Sequence, residues 1–166
     1  MKQEPELSVG LLVYRLRNGP EILLAHPGGP FWSKKDEGSW STPKGIAQPD
    51  DDLLACARRE FTNETGLVAN GEFISLEPVE QKSGKVLHGF AVEADLDVKN
   101  FRSPEFSLEW PPRSGWWQTF REIDRIEYFG LRTALRKILP YQWPMLLELS
   151  EKLGWRIPRA HTADSA

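Results

Sequence analysis

Residues 45–67, with the sequence GIAQPDDDLLACARREFTNETGL, decide the fold. The stretch opens with Gly45, runs through three aspartates into a segment with helical periodicity, and closes on Gly66. Glu60 and Glu64 are four residues apart, so on a helix they share one face about one turn apart. Two carboxylates placed in this way form half of a site for a hard cation, or they belong to the solvated face of an amphipathic helix.

Helix signals surround these two acids. Asp50 to Asp52 suit an N-terminal turn, where the helix dipole favours negative charge. Ala57 and Phe61, together with a leucine at 53 or 54, recur at three-to-four spacing and predict the buried stripe. Gly66 is well placed as the C-terminal cap, and Cys56 is predicted to be a small buried residue.

The order of the elements along the whole chain predicts an α/β domain with a mixed sheet and helices on both faces. We predict strands over 7–16, 21–26, 67–81, 85–96 and 116–120, and two C-terminal helices over 128–139 and 142–153. His26 and His88 fall in strands and are expected to pack against their neighbours. Residues 26–37 (HPGGPFWSKKDE) form a long loop, which makes them a candidate for function. We expect one domain over residues 1–158 and a flexible tail over 159–166.

Composition excludes several classes of protein. The net charge is −3 and the basic residues are scattered, which argues against binding to a nucleic acid polymer or an anionic membrane surface. One cysteine cannot form an internal disulfide or a cysteine-built zinc site. The N-terminus lacks the apolar region of a signal peptide, and no apolar run reaches the roughly 20 residues of a membrane span, so we expect a cytoplasmic protein.

The spacing of the opening stretch resembles the Nudix box of the Nudix (MutT-like) hydrolases. That pattern is Gly, five residues, Glu, seven residues, Arg-Glu, an apolar residue, any residue, Glu-Glu, any residue, Gly and an apolar residue. Seven of its positions are kept here, namely Gly45, Arg59, Glu60, Phe61, Glu64, Gly66 and Leu67. The preceding WSTPKG at 40–45 is similar to the Trp-x-x-Pro-Lys-Gly of many members. The HPGGPFW loop and the EWPP segment at 109–112 further resemble a bacterial branch of predicted nucleoside triphosphate pyrophosphohydrolases.

The resemblance implies a Nudix-type α/β/α sandwich and hydrolysis of a phosphoanhydride in a nucleoside diphosphate linked to another group, with Mg²⁺ or Mn²⁺ as cofactor. Glu60 and Glu64 would be metal ligands, with Glu60 also close to the attacking water. Arg59 would hold the carboxylates of the box in place, or it is an exposed helix cation. Gly45 would let the backbone approach metal or phosphate, or it is a turn glycine. Lys44 would touch phosphate, or it is a solvated loop lysine.

Two positions depart from the pattern. Asp51 replaces the Glu of the pattern at a position that usually supports the box and does not bind metal directly. Asn63 replaces the first Glu of the Glu-Glu pair. Its amide oxygen can ligate Mg²⁺ but is neutral and cannot act as a base. We therefore expect a working site with fewer metals or weaker metal binding.

Residues outside the box complete the expected site. Glu109, with Glu93 and Glu105 as rivals, is the candidate for a further ligand or base. Trp32 and Trp110 are candidates for stacking on a nucleobase, as are Phe31 and Trp116, although anchoring a core or loop is the more frequent role of tryptophan.

The predicted function is a metal-dependent pyrophosphohydrolase whose substrate is a small nucleotide, first an NTP or a dinucleoside polyphosphate. The alternative is a degenerate Nudix domain that binds a nucleotide or a protein partner without turnover. A scaffold that dimerises through the Trp-rich C-terminal part is compatible with either, and we expect a monomer or a homodimer.

Overall fold

The computed structural model describes residues 5–157, so the expected tail at 159–166 lies outside the described residues. The main sheet contains seven strands. Five follow one another in the order β4-β6-β1-β2-β9, while β3 pairs with β1 and β5 pairs with β6. The bounds are β1 Leu7–Leu16, β2 Pro20–Pro27, β3 Lys44–Ile46, β4 Ile74–Ser75, β5 Val79–Glu80, β6 Val86–Glu93 and β9 Ile123–Gly130. The central pair β1 and β6 is parallel over eight residues, and the other pairs are antiparallel, so the predicted mixed sheet is confirmed.

Helices cover both faces of this sheet. Helix α1 (Leu53–Thr65) packs on one face, and helices α2 (Leu131–Lys137) and α3 (Trp143–Leu153) pack on the other. Strand β1 is apolar on both sides, because Val9 and Leu11 face α1 while Leu12 faces α3. The α/β/α sandwich is thereby confirmed. None of the helices among residues 5–157 is long and apolar enough to cross a membrane.

A separate hairpin stands beside the sandwich. It consists of β7 (Glu105–Glu109) and β8 (Trp117–Arg121), which pair with each other in their own sheet. Trp116 and Trp117 are exposed on it.

Several predicted bounds were wrong. Residues 128–130 were expected to be helical but end strand β9, because they pair with the buried strand β2 and α2 starts only at Leu131. The expected strand over 67–81 reduces to β4 and β5, which are two residues each, both pair with β6, and are separated by residues 76–78, where the register shifts by one residue. Residues 105–109 lie outside the predicted strands but form β7, whose pairing with β8 cannot be read from its local sequence.

Candidate active site

Helix α1 carries the two acids of the opening stretch in a fixed orientation. At its start the Asp52 carboxylate accepts a hydrogen bond from the Leu54 amide at 3.1 Å. At its end Gly66 has a φ of 73°, and its amide donates to the Thr62 carbonyl at 2.8 Å. The caps and the buried Phe61 make α1 a rigid support for Glu60 and Glu64.

Glu60 lies directly against Gly45. A Cβ atom built on Gly45 would be 2.2 Å from Oε2 of Glu60 and 2.5 Å from its Cγ. Only a residue without a side chain leaves room for the carboxylate here. The close approach links strand β3 to helix α1, and it gives Gly45 a role beyond that of a turn glycine.

Glu64 is half-buried beside a carboxylate that comes from another part of the chain. Burial, followed by the negative charge of Glu122 and then that of Glu60, raises the pKa of Glu64 from 4.5 to about 7. Lys44 acts in the opposite direction but does not cancel the shift. Three carboxylates therefore concentrate negative charge near the end of α1.

A cavity of about 230 Å³ opens next to Glu64 and Glu122. Trp32 and Lys44 border it, and apolar side chains close its walls. The remaining lining residues are Ala25, Pro27, Ser39, Ser41, Thr42, Pro43, Ile123 and Leu139. Among the described residues, the Thr42 hydroxyl is the buried side-chain oxygen or nitrogen that finds no hydrogen-bond partner. A cavity lined by both charged and apolar side chains suits a ligand that has both characters.

Arg59 contacts the carboxylate at the substituted box position. Its guanidinium lies 3.7 Å from Oδ2 of Asp51, and the same Asp51 oxygen accepts a hydrogen bond from the Gln48 amide at 2.8 Å. The Arg59 side chain remains half exposed and does not border the carboxylate cavity. These contacts match a supporting role for the pair in the loop that leads into α1.

Asn63 is exposed on α1, one position before Glu64. It borders a different surface groove, of about 410 Å³, together with Arg58, Arg59 and Val68. This groove is larger than the carboxylate cavity but contains none of the three glutamates, so we place the chemistry in the smaller cavity.

The structure does not bring Glu109 or Trp110 to the carboxylate cavity. Glu109 is the last residue of β7, and its carboxylate accepts hydrogen bonds from the Arg113 amide at 3.0 Å and the Gly115 amide at 3.2 Å. It therefore holds the tip of its own hairpin. Trp110 packs edge to face against Phe31, with ring centroids 5.0 Å apart, and borders a separate depression.

Sequence reasoning missed Glu122. It lies at a bend between β8 and β9, and its carbonyl accepts a hydrogen bond from the Gly28 amide at 2.8 Å. No local pattern distinguishes Glu122 from the other scattered acids. Only the pairing of β9 with β2 brings it to Glu64.

A second, small polar cavity of about 70 Å³ lies on the other side of Lys44. Lys85, Tyr141 and Ser8 border it, with Glu6 as the acid among its lining residues. Neither lysine forms an ion pair within residues 5–157. Both cations are therefore free to meet an anion that reaches past Lys44.

The carboxylate oxygens present here suit a divalent cation that keeps several of its own water ligands. Within residues 5–157 no three His, Cys, Asp or Glu side chains converge tightly enough to enclose an ion by themselves. Mg²⁺ commonly binds one or two carboxylates, several waters and the oxygens of a substrate phosphate. Glu60 and Glu64 offer such carboxylates, and burial together with the neighbouring charges of Glu122 and Glu60 raises the pKa of Glu64.

Comparisons with known proteins match the fold described above. The family model of the NUDIX domain matches residues 5–142. The NUDIX domain of Shewanella oneidensis NrtR, solved with ADP ribose, is 15% identical with a TM-score of 0.62, over 92% of this chain and 90% of that one. A Caenorhabditis elegans Ap4A hydrolase in a binary complex is 21% identical with a TM-score of 0.58, over 89% and 98%. A MutT protein from Methanosarcina mazei Go1 is 17% identical with a TM-score of 0.57, over 94% and 100%. No curated protein matches the chain.

Proposed function

The chain belongs to the Nudix family, and we propose that it is a single-domain, divalent-cation-dependent hydrolase of a phosphoanhydride in a nucleoside diphosphate linked to another group. The observation that carries the proposal is the charge coupling of Glu64 with Glu122 and Glu60, next to a cavity that Glu64 and Glu122 line. The ADP ribose of the NrtR domain and the Ap4A named for the C. elegans enzyme both contain such a diphosphate.

In this proposal Glu60 and Glu64 hold the cation, and Gly45 lets the main chain and Glu60 come close together. Bound Mg²⁺ or Mn²⁺ would neutralise the phosphate oxygens and lower the pKa of the attacking water. Glu122 is the third carboxylate, placed to orient that water or to accept its proton. Asn63 supplies no charge, so the cation is expected to bind more weakly than at a site with a fourth carboxylate.

The cavity would receive the nucleoside. Trp32 borders the cavity and offers a ring face for stacking. Lys44 lies between this cavity and the small polar one, so its ammonium can meet the phosphate chain.

The small polar cavity favours a dinucleoside polyphosphate over a simple NTP. A phosphate chain that extends past Lys44 would meet Lys85 and the Tyr141 hydroxyl. We therefore expect Lys85→Gln to lower kcat/KM for a dinucleoside tetraphosphate by about fivefold, equivalent to the roughly 1 kcal/mol of one lost exposed charge contact, while leaving ADP-ribose hydrolysis within about twofold. Lys82→Gln is the matched control, because Lys82 is exposed in the same turn and borders neither cavity.

A nucleotide panel with Mg²⁺ and Mn²⁺ separates the proposal from its alternative. A hydrolase releases a mononucleotide product that depends on the cation. A degenerate binding domain instead shows a higher melting temperature with ligand and no product. The absence of product from NTPs, dinucleoside polyphosphates and ADP-ribose alike would reject hydrolysis.

A further inference from the structure

The ring of His26 is held between two oxygen atoms from two different elements that border the carboxylate cavity. His26 lies near the end of β2 and is fully buried. Its Nδ1 is 2.8 Å from Oδ1 of Asp124 in β9. Its Nε2 is 2.6 Å from the main-chain carbonyl of Lys35, in the loop over residues 28–39.

Both partners are hydrogen-bond acceptors. A carbonyl oxygen cannot donate, and an ionised carboxylate cannot donate either. A neutral imidazole has one N–H and one bare nitrogen, so it can satisfy only one of the two contacts. An imidazolium donates at both nitrogens and also matches the charge of Asp124.

We propose that His26 is an imidazolium and a positioning residue, whose two hydrogen bonds fix the loop that carries Trp32 against the cavity. The proposal rests on the proposed function only where it names Trp32 as a substrate contact. The state of the ring and the hold on the loop can be tested without any substrate.

The charged groups around the ring are few. Asp124 also meets the Arg125 guanidinium at 3.6 Å, and that guanidinium lies 5.1 Å from the centre of the Trp40 ring. Trp40 packs edge to face on His26 at 5.1 Å, and its indole N–H donates to Asp36, which is paired with Lys137. Asp124 is thus the acid in contact with the ring, while Asp36 is already neutralised by its own partner.

His26 secures the middle of the loop, and other contacts secure its ends. At the start the Gly28 amide donates to the Glu122 carbonyl, and near the end the Gly38 amide donates to the Arg136 carbonyl at 3.0 Å. Between them the Lys35 amide donates to the Trp32 carbonyl at 2.9 Å, so the Lys35 residue held by His26 is joined directly to Trp32. Loss of the His26 bond would release this middle section while both ends remain tied.

Nitrogen NMR of the histidine rings tests the protonation state. At pH 7 we expect both ring nitrogens of His26 in the wild type to carry protons. In Asp124→Asn the new side-chain amide can donate to Nδ1, so the ring should become neutral and keep only its Nε2 proton. A bare nitrogen on His26 in the wild type at pH 7 would overturn the proposal.

Limited trypsin digestion tests the hold on the loop, since Lys34 and Lys35 are exposed cleavage sites within it. We expect His26→Gln to speed cleavage there at least about tenfold, while Asp124→Asn stays within about twofold of wild type because its Nε2 bond survives. His88→Gln is the control, because His88 contacts the Ser75 hydroxyl at 2.8 Å and borders neither cavity. Equal cleavage of His26→Gln and wild type would refute the positioning role.

Kinetics on the best substrate supply the third measurement. If the loop only positions Trp32, His26→Gln raises KM about tenfold and leaves kcat within about twofold. A fall in kcat at unchanged KM would contradict positioning. If no substrate is hydrolysed, the proposed function fails, and the NMR and trypsin results still decide this inference.

Discussion

Gly45→Ala should disable the site while leaving the fold intact. The added Cβ would lie 2.2 Å from Oε2 of Glu60, about 1.2 Å inside the 3.4 Å at which ordinary contact begins. The Glu60 carboxylate therefore has to move by about 1 Å. A displacement of that size at a catalytic group costs about 100-fold in rate, equivalent to about 2.7 kcal/mol.

The folded state should tolerate the same change. Gly45 does not have a positive φ, and the atoms that the Cβ meets belong to the end of a flexible, half-buried side chain. The free energy of unfolding in urea is expected to change by less than about 1 kcal/mol. Gly130→Ala is the matched control, because a Cβ at Gly130 meets nothing within 4 Å, and it should keep full activity. If Gly45→Ala retains kcat/KM within about threefold of wild type, the position of the Glu60 carboxylate does not depend on Gly45. If Gly45→Ala does not fold, Gly45 is required for the fold and not only for the site.

Three further predictions concern the carboxylates. Glu122→Gln should lower kcat at least about 30-fold with little change in melting temperature. Glu109→Gln should instead lower the melting temperature, through its hairpin, and keep kcat within about twofold. A larger loss of kcat in Glu109→Gln than in Glu122→Gln would show that Glu109 is the third carboxylate of the site. Asn63→Glu should lower the Mn²⁺ concentration for half-maximal activity about tenfold, and an unchanged titration would show that position 63 does not face the cation. The pKa of Glu64 is raised from 4.5 to about 7, so the metal-free folded protein favours the protonated carboxyl group. The melting temperature of wild type relative to Glu64→Gln should therefore fall as pH rises from about 4.5 through 7, and it should recover when Mg²⁺ is added. A pH-independent difference between these two proteins would show that Glu64 is not desolvated.

The local parts of this architecture could be predicted from the sequence. The cap at Gly66, the buried stripe containing Phe61 and the four-residue spacing of two acids are all properties of one helix, and one helix fixes their relative positions. The fixed spacing in the chain singles out Gly45 but does not predict its contact with Glu60, which the structure shows as a steric requirement.

The parts that depend on distant pairing could not be predicted. Glu122 reaches Glu64 because β9 pairs with β2, and nothing near residue 122 encodes that partner. Glu109 is predicted to be a further ligand or base, but its carboxylate accepts hydrogen bonds from the turn between β7 and β8. The two contacts of His26 come from residues 9 and 98 positions away, so a strand pattern shows only that the ring is buried.

The central claim is that Glu60, Glu64 and Glu122 form a cation-dependent hydrolytic centre. Its most direct test is product release from the best nucleotide of the panel by wild type and Glu64→Gln, each at saturating Mg²⁺ and in the presence of a chelator. We predict cation-dependent product from wild type and a loss of at least about 100-fold in Glu64→Gln. Undiminished turnover by Glu64→Gln would show that Glu64 is not part of the hydrolytic centre. Turnover by wild type in the presence of the chelator would show that the centre does not depend on a cation.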